Sequence, residues 1–404
     1  MRVSTSQFYF QSTQLMSQKT ADVNDQMAHL SSGKRVLTAK DDAISYSTLS
    51  GFNDDLANIE KYKRNITMAE NNNSMQEVIF ADVETLLDTF KQDMLLANNG
   101  RMSDEDLQSI ASQMRNSLDQ LIDLANSQDE QGDYIFSGYQ TEQQPFSQQV
   151  DGSVVYSGDK GVNELQIAKN INIATNQPGD DAFLNVENAI GDFTANYPNS
   201  PANTSGVTVE SANITDRHAY NGSTPHSYTF TFGPGADELN VLDGVTNVYS
   251  TTSYSLGQNI PLSNGVDVTL SGNPLPGENF TLSETAEISV FETLNNAISQ
   301  VEQGATSNDI EQHQVDYNTM LNQLSTAMNH ISSRRADAGI RLQVLENRQS
   351  RHLDIELNIT TNKAGIEDLD FAKAISEFEQ SQVALQVSQQ TFSKLQNLSL
   401  FNYL

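Results

Sequence analysis

The chain has no cysteine and no tryptophan. Without thiols, disulfides, thiolate metal sites and cysteine nucleophiles are all excluded. Bases are scarce: 22 Lys and Arg face 52 Asp and Glu over 404 residues, a formal net charge of -30. Repulsion on that scale argues against binding to nucleic acid or to an anionic membrane surface. No apolar run of about 18 residues occurs, which excludes a helical membrane span. The opening MRVSTSQFYFQSTQLMSQKT lacks both an apolar run of about 7 to 15 residues and a small-residue cleavage site, so no removable secretion signal is expected.

Both flanks are almost free of helix breakers. All nine prolines fall between Pro145 and Pro276, and sixteen of the 22 glycines between Gly132 and Gly277. The ends are therefore free to form long helices, and the middle is not. In the middle, YTFTF at 228–232 and VDVTLSG at 266–272 alternate apolar with polar residues, the period of half-buried strands. Thirteen acids face the single Arg217 between 178 and 290. The chain reads as helix, β, helix: a mainly α fold with an inserted β-rich domain. At 154–168, VVYSGDKGVNELQIA reads as two short strands around a glycine-bounded turn, a hairpin.

In the N-terminal flank Tyr9, Met16, Thr20, Val23, Met27 and Leu30 follow the spacing of a coiled-coil seam. The spacing resumes after LSSGKR at Leu49, Phe52, Leu56, Ile59 and Ile66, then at Ile79, Val83, Leu86 and Phe90. A helix from Ile44 to Asn99 would span roughly 80 Å and must pack along its length. Ser103 with Asp106 three residues on starts a second helix, expected to fold back on the first through Leu107, Ile110, Met114, Leu118, Leu121 and Ala125. The C-terminal flank has heptads of its own in Phe371, Phe378, Leu385 and Phe392, with Ala374 and Leu395 beside them. It closes on FSKLQNLSLFNYL, where Leu398, Phe401 and Leu404 extend the apolar series. Neither flank has a partner nearby in sequence, so the two ends are expected to form one long antiparallel bundle or coiled coil.

Nothing in the sequence supports catalysis. The six histidines, His29, His218, His226, His313, His330 and His352, show no metal-ligand spacing. GSVVYSGDKG lacks the order of a phosphate-binding loop. Asp41 and Asp42 are neighbours at a helix start, where capping explains them. The triplets at Asn203, Asn213 and Asn221 are expected by chance in so polar a chain. A sharper pattern is Arg334, Arg341 and Arg348, which recur at seven residues on one helical stripe. That stripe is either a solvated face or a cationic edge meeting acidic helices, within the chain or on a neighbouring copy.

Several segments in fixed order closely resemble the hook-associated protein 3 family, the hook-filament junction proteins among the flagellin-like proteins. They are MRVSTSQFYF, LSSGKRVLTAKDDA at 30–43, GDYIFSGYQTEQQPF at 132–146, VLENRQSRHLDIELNI at 344–359, IEDLDFAKAISEFEQSQVALQ at 366–386 and the closing LSLFNYL. Flagellin itself shares the helical ends, and Ala39 and Ala43 lean toward it. The FSG segment and the LSLFNYL ending favour the junction family.

The resemblance implies a structural subunit of the bacterial flagellum, an adaptor between the hook-associated protein 1 layer and the flagellin filament, with a minor flagellin as the alternative. It implies a terminal coiled-coil domain (1–45 with 360–404), a helical rod with a β-hairpin (46–177 with 291–359) and an outer β-rich domain (178–290). Expected partners are other copies in a ring, hook-associated protein 1, flagellin, and an export chaperone on the C-terminal helix. Export without signal cleavage places the protein on the extracellular flagellum. Phe371, Phe378, Leu385, Phe392, Leu395, Leu398, Phe401 and Leu404 become the expected subunit or chaperone interface. Arg334, Arg341 and Arg348 form a possible charged one. No cofactor or metal is implied; an enzyme on a coiled-coil scaffold would have only His218 and His226 to work with in the middle domain.

Overall fold

The computed structural model describes residues 5–99, 102–198, 204–220, 226–235, 237–304 and 310–401. The chain divides into two compact units, Met1–Arg64 with Asn347–Leu404 (the terminal unit) and Asn65–Glu346 (the body). Charge divides with them. The terminal unit has thirteen bases against fourteen acids, and the body nine against 38. Nearly all of the negative charge therefore belongs to the body.

Three helices come first: α1 (Thr5–Ser32), α2 (Ala43–Ala97) and α3 (Asp104–Ala125). The strands follow as β1 (Phe146–Gln148), β2 (Val154–Tyr156), β3 (Glu164–Ala168), β4 (Ile171–Ala174), β5 (Val186–Glu187), β6 (Phe193–Asn196) and β7 (Thr208–Ile214). Next come β8 (Ser227–Phe232), β9 (Leu239–Asp243), β10 (Thr246–Thr251), β11 (Asn259–Pro261), β12 (Val266–Ser271), β13 (Asn279–Glu284) and β14 (Glu287–Ile288). The chain ends in α4 (Val290–Gln303), α5 (Ile310–Glu367) and α6 (Phe371–Phe401). The 55-residue α2 is the long helix expected from Ile44 onward. Ser103 caps α3 as expected, its hydroxyl accepting the Asp106 N–H at 3.3 Å while Asp106 accepts the Ser103 N–H at 3.2 Å. The Ser103 hydroxyl, which donates to the Asp106 carboxylate at 2.7 Å, and next the Ser103 N–H hold that carboxyl below its usual range.

In the body, α2, α3, α4 and α5 share one core. Phe90 and Met94, Met114 and Leu118, Leu294 and Ile298, and Leu324 and Ile331 are buried there together. Each such Leu or Phe contributes about 1.5–3 kcal/mol on leaving water. Phe136, Phe146 and Phe183, none of them on a long helix, close this core against Phe80 and Phe291 with ring centroids between 5.0 and 6.2 Å apart. Phe183 belongs to a single π-helical turn, Asp180–Leu184.

The segment 154–168 departs from the expected hairpin. β2 pairs with β1 and β3 pairs with β4, and the two strands of that segment do not pair with each other. The residues between them are held elsewhere: Asp159 Oδ1 accepts the N–H groups of Tyr139 and Gly161, both at 2.8 Å, and Ser157 N–H donates to Pro145 O at 2.7 Å. The turn of β3 and β4 uses Asn170 at φ 63°, a left-handed conformation that asparagine tolerates. This second hairpin lies on α2, where Asn65, Asn73 and Gln76 donate from one face to the carbonyls of Gln166, Ala174 and Thr175 at 2.7, 3.1 and 2.8 Å.

The acidic middle of the chain is a β-sandwich with its own core. A five-stranded sheet in the order β10-β9-β8-β13-β6 packs against a three-stranded sheet, β11-β12-β7. YTFTF is β8 and VDVTLS is β12, and in both alternate residues are buried, as the sequence period required. Phe230 and Phe280 face each other across neighbouring strands and stack at 4.6 Å. Buried Glu278 ties in the approach to β7 by accepting the N–H groups of Thr204 and Ser205 at 2.6 and 2.9 Å.

Candidate subunit interface

In the terminal unit α1 and α6 lie against each other. Tyr9 meets Phe392 ring to ring at 5.9 Å. At the other end of the pair, an added Cβ on Gly33 would come within 3.4 Å of the Phe371 ring. The helices are therefore antiparallel. On α1 the half-buried positions are Tyr9, Ser12, Met16, Lys19, Val23, Gln26 and Leu30, an alternation of threes and fours, with His29 beside Leu30. Thr20 and Met27, expected in this seam, are exposed; Ser12, Lys19 and Gln26 stand where they were expected to act, because burial follows the geometric phase set by Tyr9 and not side-chain polarity. On α6 the half-buried set is Ala374, Phe378, Ser381, Ala384, Leu385, Ser388 and Phe392.

Phe378, Leu385 and Phe392 thus share the inward stripe, while Phe371 is 53% exposed at its edge. Leu395, Leu398 and Phe401 belong to α6, but their side chains lie outside the described residues, as does Leu404 altogether. A second apolar stripe on α6, Ile375, Val383 and Val387, is exposed, and Phe10, Leu15 and Met27 are exposed on α1. A helix pair with apolar residues on outer as well as inner faces has surface for further helices.

Next to this pair the chain is broken twice at one place. α1 ends at Ser32, Gly33 takes φ 69°, and α5 ends at Glu367 just before α6. Arg35 N–H donates to Glu367 O at 2.7 Å, and Leu369 N–H to Gly33 O at 3.0 Å. The Arg35 guanidinium donates to Ile366 O at 2.9 Å, and Lys34 Nζ lies 2.5 Å from a Glu367 carboxylate oxygen. Asp41 accepts the N–H groups of Leu37 and Thr38, and Asp42 those of Ile44 and Ser45. Both carboxyls are held below their ordinary range, Asp41 chiefly by the Thr38 backbone and Asp42 by the Ser45 hydroxyl. The acid pair is a capping device.

The arginine stripe is uneven. Arg334 donates to Asp181 on the π-helical turn at 2.8 Å, an acidic partner within the chain. Arg341 is half-buried, and loss of solvent pulls its guanidinium below the ordinary value, with Asp337 and Asp181 opposing. Arg348 is half-buried in the terminal unit. Arg335, one residue off the stripe, makes the stronger contacts: it bridges Glu77 and Glu84 of α2, both at 2.7 Å. No motif marked it; only the seven-residue spacing of its two partners across one helix face could have done so.

The histidines are not gathered. His352 stacks on Tyr62 at 5.6 Å, His330 Nε2 meets Asp181 O at 2.9 Å, and His226 Nδ1 meets Asp243 at 2.5 Å. Among the described residues no cluster of three potential metal ligands exists.

Comparison with known proteins agrees with this layout. The family profile of the bacterial flagellin N-terminal helical region matches residues 3–141, and that of the C-terminal helical region matches 321–404. Together they account for more than half of the chain, and they leave out the β-sandwich. The chain belongs to the flagellin-like family. Within the family it is similar to the flagellar hook-associated protein 3 of Salmonella typhimurium, with 26% identity over 403 residues that cover 99% of each chain. The protein of the same name from Escherichia coli is 25% identical over 401 residues, again 99% of each. Among solved structures, the flagellar junction protein FlgL from Legionella pneumophila superposes with a TM-score of 0.65 at 26% identity, covering 79% of this chain and 100% of that one.

Proposed function

We propose that this protein is a structural subunit of the bacterial flagellum, the adaptor between the hook-associated protein 1 layer and the flagellin filament. The observation that carries this reading is full-length similarity to hook-associated protein 3 of two bacteria, sandwich included, where flagellin profiles match the ends alone. The terminal unit is the assembling part: an α1–α6 pair with apolar residues on its outer faces, close to neutral, so that copies approach without mutual repulsion. The exposed stripe of Ile375, Val383 and Val387 supplies the contacts to neighbouring copies in a ring, and Phe378, Leu385 and Phe392 hold together the helix pair that presents it. Before export the same helix is the segment for a chaperone, laid into a groove. Neither role needs a reacting group, and the protein acts by binding.

Labelling on isolated flagella tests this. Antibody or tag confined to the point where hook meets filament supports the adaptor. Label distributed along the shaft, or long filaments grown from the purified chain alone, would make it a minor flagellin instead.

A further inference from the structure

The body holds two hydrophobic cores, and the chain crosses between them twice within a few residues. Val186 is buried in the helical core and Ile190 in the sandwich; on the way back Leu282 is buried in the sandwich and Val290 in the helical core. What lies between is the shortest strand pair among the described residues, β5 with β14, which pairs Val186 with Ile288 and Glu187 with Glu287. Two carboxylates face each other in that second rung, and like charges directly opposite weaken a ladder. Lys160 feels the Glu287 charge but is bound to Asp180 at 3.0 Å. One more rung follows, from Asn188 N–H to Ala286 O at 3.0 Å.

The sandwich touches α5 through a narrow ridge. Gln323, 4% exposed, accepts the Ala189 N–H on Oε1 at 2.7 Å and donates from Nε2 to Glu187 O at 3.3 Å. Val315 is the α5 residue that enters the sandwich core among those described. On either side of this ridge the two parts are separated by polar clefts. One, of about 530 Å³, is lined by Thr208, Glu210, Asn318 and Asn322; the other, of about 370 Å³, by Asn196, Gln300, Gln312 and Asp316. Thr319 borders both. Their helical positions put them on opposite flanks of the line from Val315 to Gln323.

We propose that the β-sandwich is a pivoting module: it tilts on α5 about the Gln323 hook, and the facing Glu187 and Glu287 keep its two-strand neck compliant. Tilting toward either cleft closes mostly polar surface over water, and of the α5 residues described Val315 alone shifts within the sandwich core. The repulsion at the neck opposes the close rung that would stiffen the connection. Screening by salt or reversal of one charge removes it. Amphipathic polar linings on both sides, with one amide as the fulcrum, are what distinguish a pivot from a fixed domain contact.

The absence of cysteine makes the test direct. Val245, 98% exposed on the sandwich, and exposed Ser332 on α5 are changed to cysteine for spin labels, and the distance distribution is measured by pulsed electron resonance in the full chain. The expected result is a broad distribution that narrows with Glu287→Lys, narrows in the unsubstituted neck at high ionic strength, and broadens with Gln323→Ala. Amide exchange at Asn188 is expected to slow about threefold in Glu287→Lys. Glu287→Gln, which removes the charge without adding one, is expected to fall between, and melting curves check that each variant is folded. A single narrow distance that all variants share overturns the pivot. A broad distance indifferent to Glu287 and to salt overturns the role of the neck.

Discussion

The ring of Phe392 stands edge-on to the ring of Tyr9, with 85° between their planes. This contact fixes the register of α1 on α6, and with it the positions of Phe378 and Leu385 in the inner stripe.

Replacing Phe378, Leu385 and Phe392 together with alanine is expected to loosen the terminal helix pair and leave the body intact. These side chains are half-buried, so the loss is about 2–4 kcal/mol in all. Limited proteolysis should release α1 and α6 faster while the main melting transition stays put, and chaperone binding and filament recovery should fall together. Normal filaments from the variant would show that the stripe is dispensable.

Arg335 carries more of the α2–α5 contact than any member of the seven-residue stripe. Arg335→Ala should lower body stability by roughly 1 kcal/mol in urea unfolding, a modest value because the side chain is partly exposed. The difference should shrink at high salt. Arg348→Ala, measured beside it, should change little.

Changing Arg334, Arg341 and Arg348 all to Glu is expected to destabilise the monomer itself. A carboxylate at 334 would face Asp181 and Asp337, 2.8 and 3.5 Å from the present guanidinium, and one at 341 would sit half-buried beside the same acids. Calorimetry decides: an unchanged melting temperature with blocked assembly would mean that the stripe faces a neighbour and not its own chain.

Phe183 touches Phe80, Phe136, Phe146 and Phe291 and is fully buried. Phe183→Ala should cost about 3–5 kcal/mol, read as a drop in the denaturant midpoint. Phe183→Leu, which keeps most of the volume, should recover much of it.

Burial raises the Tyr156, Tyr228 and Tyr317 phenols from 10.0 to about 12. Since the folded values lie above the unfolded one, their contribution is complete below pH 10 and is lost as pH rises from 10 toward 12. Tyrosinate absorbance should therefore rise in two stages, the later one coinciding with loss of the near-ultraviolet circular dichroism. Full ionisation near pH 10 in a still folded protein would contradict the burial.

The long helices were legible because proline is absent and glycine scarce where α2, α5 and α6 run, and because apolar residues mark a face. The same signal misled at Thr20 and Met27: in a two-helix pair position decides burial, and Ser12, Lys19 and Gln26 occupy the inner phase despite their polarity. The strands β8 and β12 were legible from strict alternation. The pairing around 154–168 was not, because it depends on Asp159 reaching the backbone of Tyr139, a contact between loops that no period records. Asp181, the partner of Arg334, was hidden for a related reason: a five-residue π-helical turn brings it to α5. Gln323 reads as one more polar residue in a helix, and its hold on two backbone groups exists only once the sandwich has folded.

The break after α1 and the break before α6 are sewn to each other, and the stitches join residues far apart in the chain, as from Arg35 to Ile366. A contact of that span forms late, after the intervening loop has been closed by the body. Any chain stopped short of Glu367 would leave the backbone at Arg35 without its acceptor and Lys34 without its counter-charge. The joint therefore registers length: a chain that ends between the body and Glu367 lacks the partners that set the end of its first helix. Incomplete molecules would carry the flaw in the terminal helix pair, far in sequence from the residues that are missing.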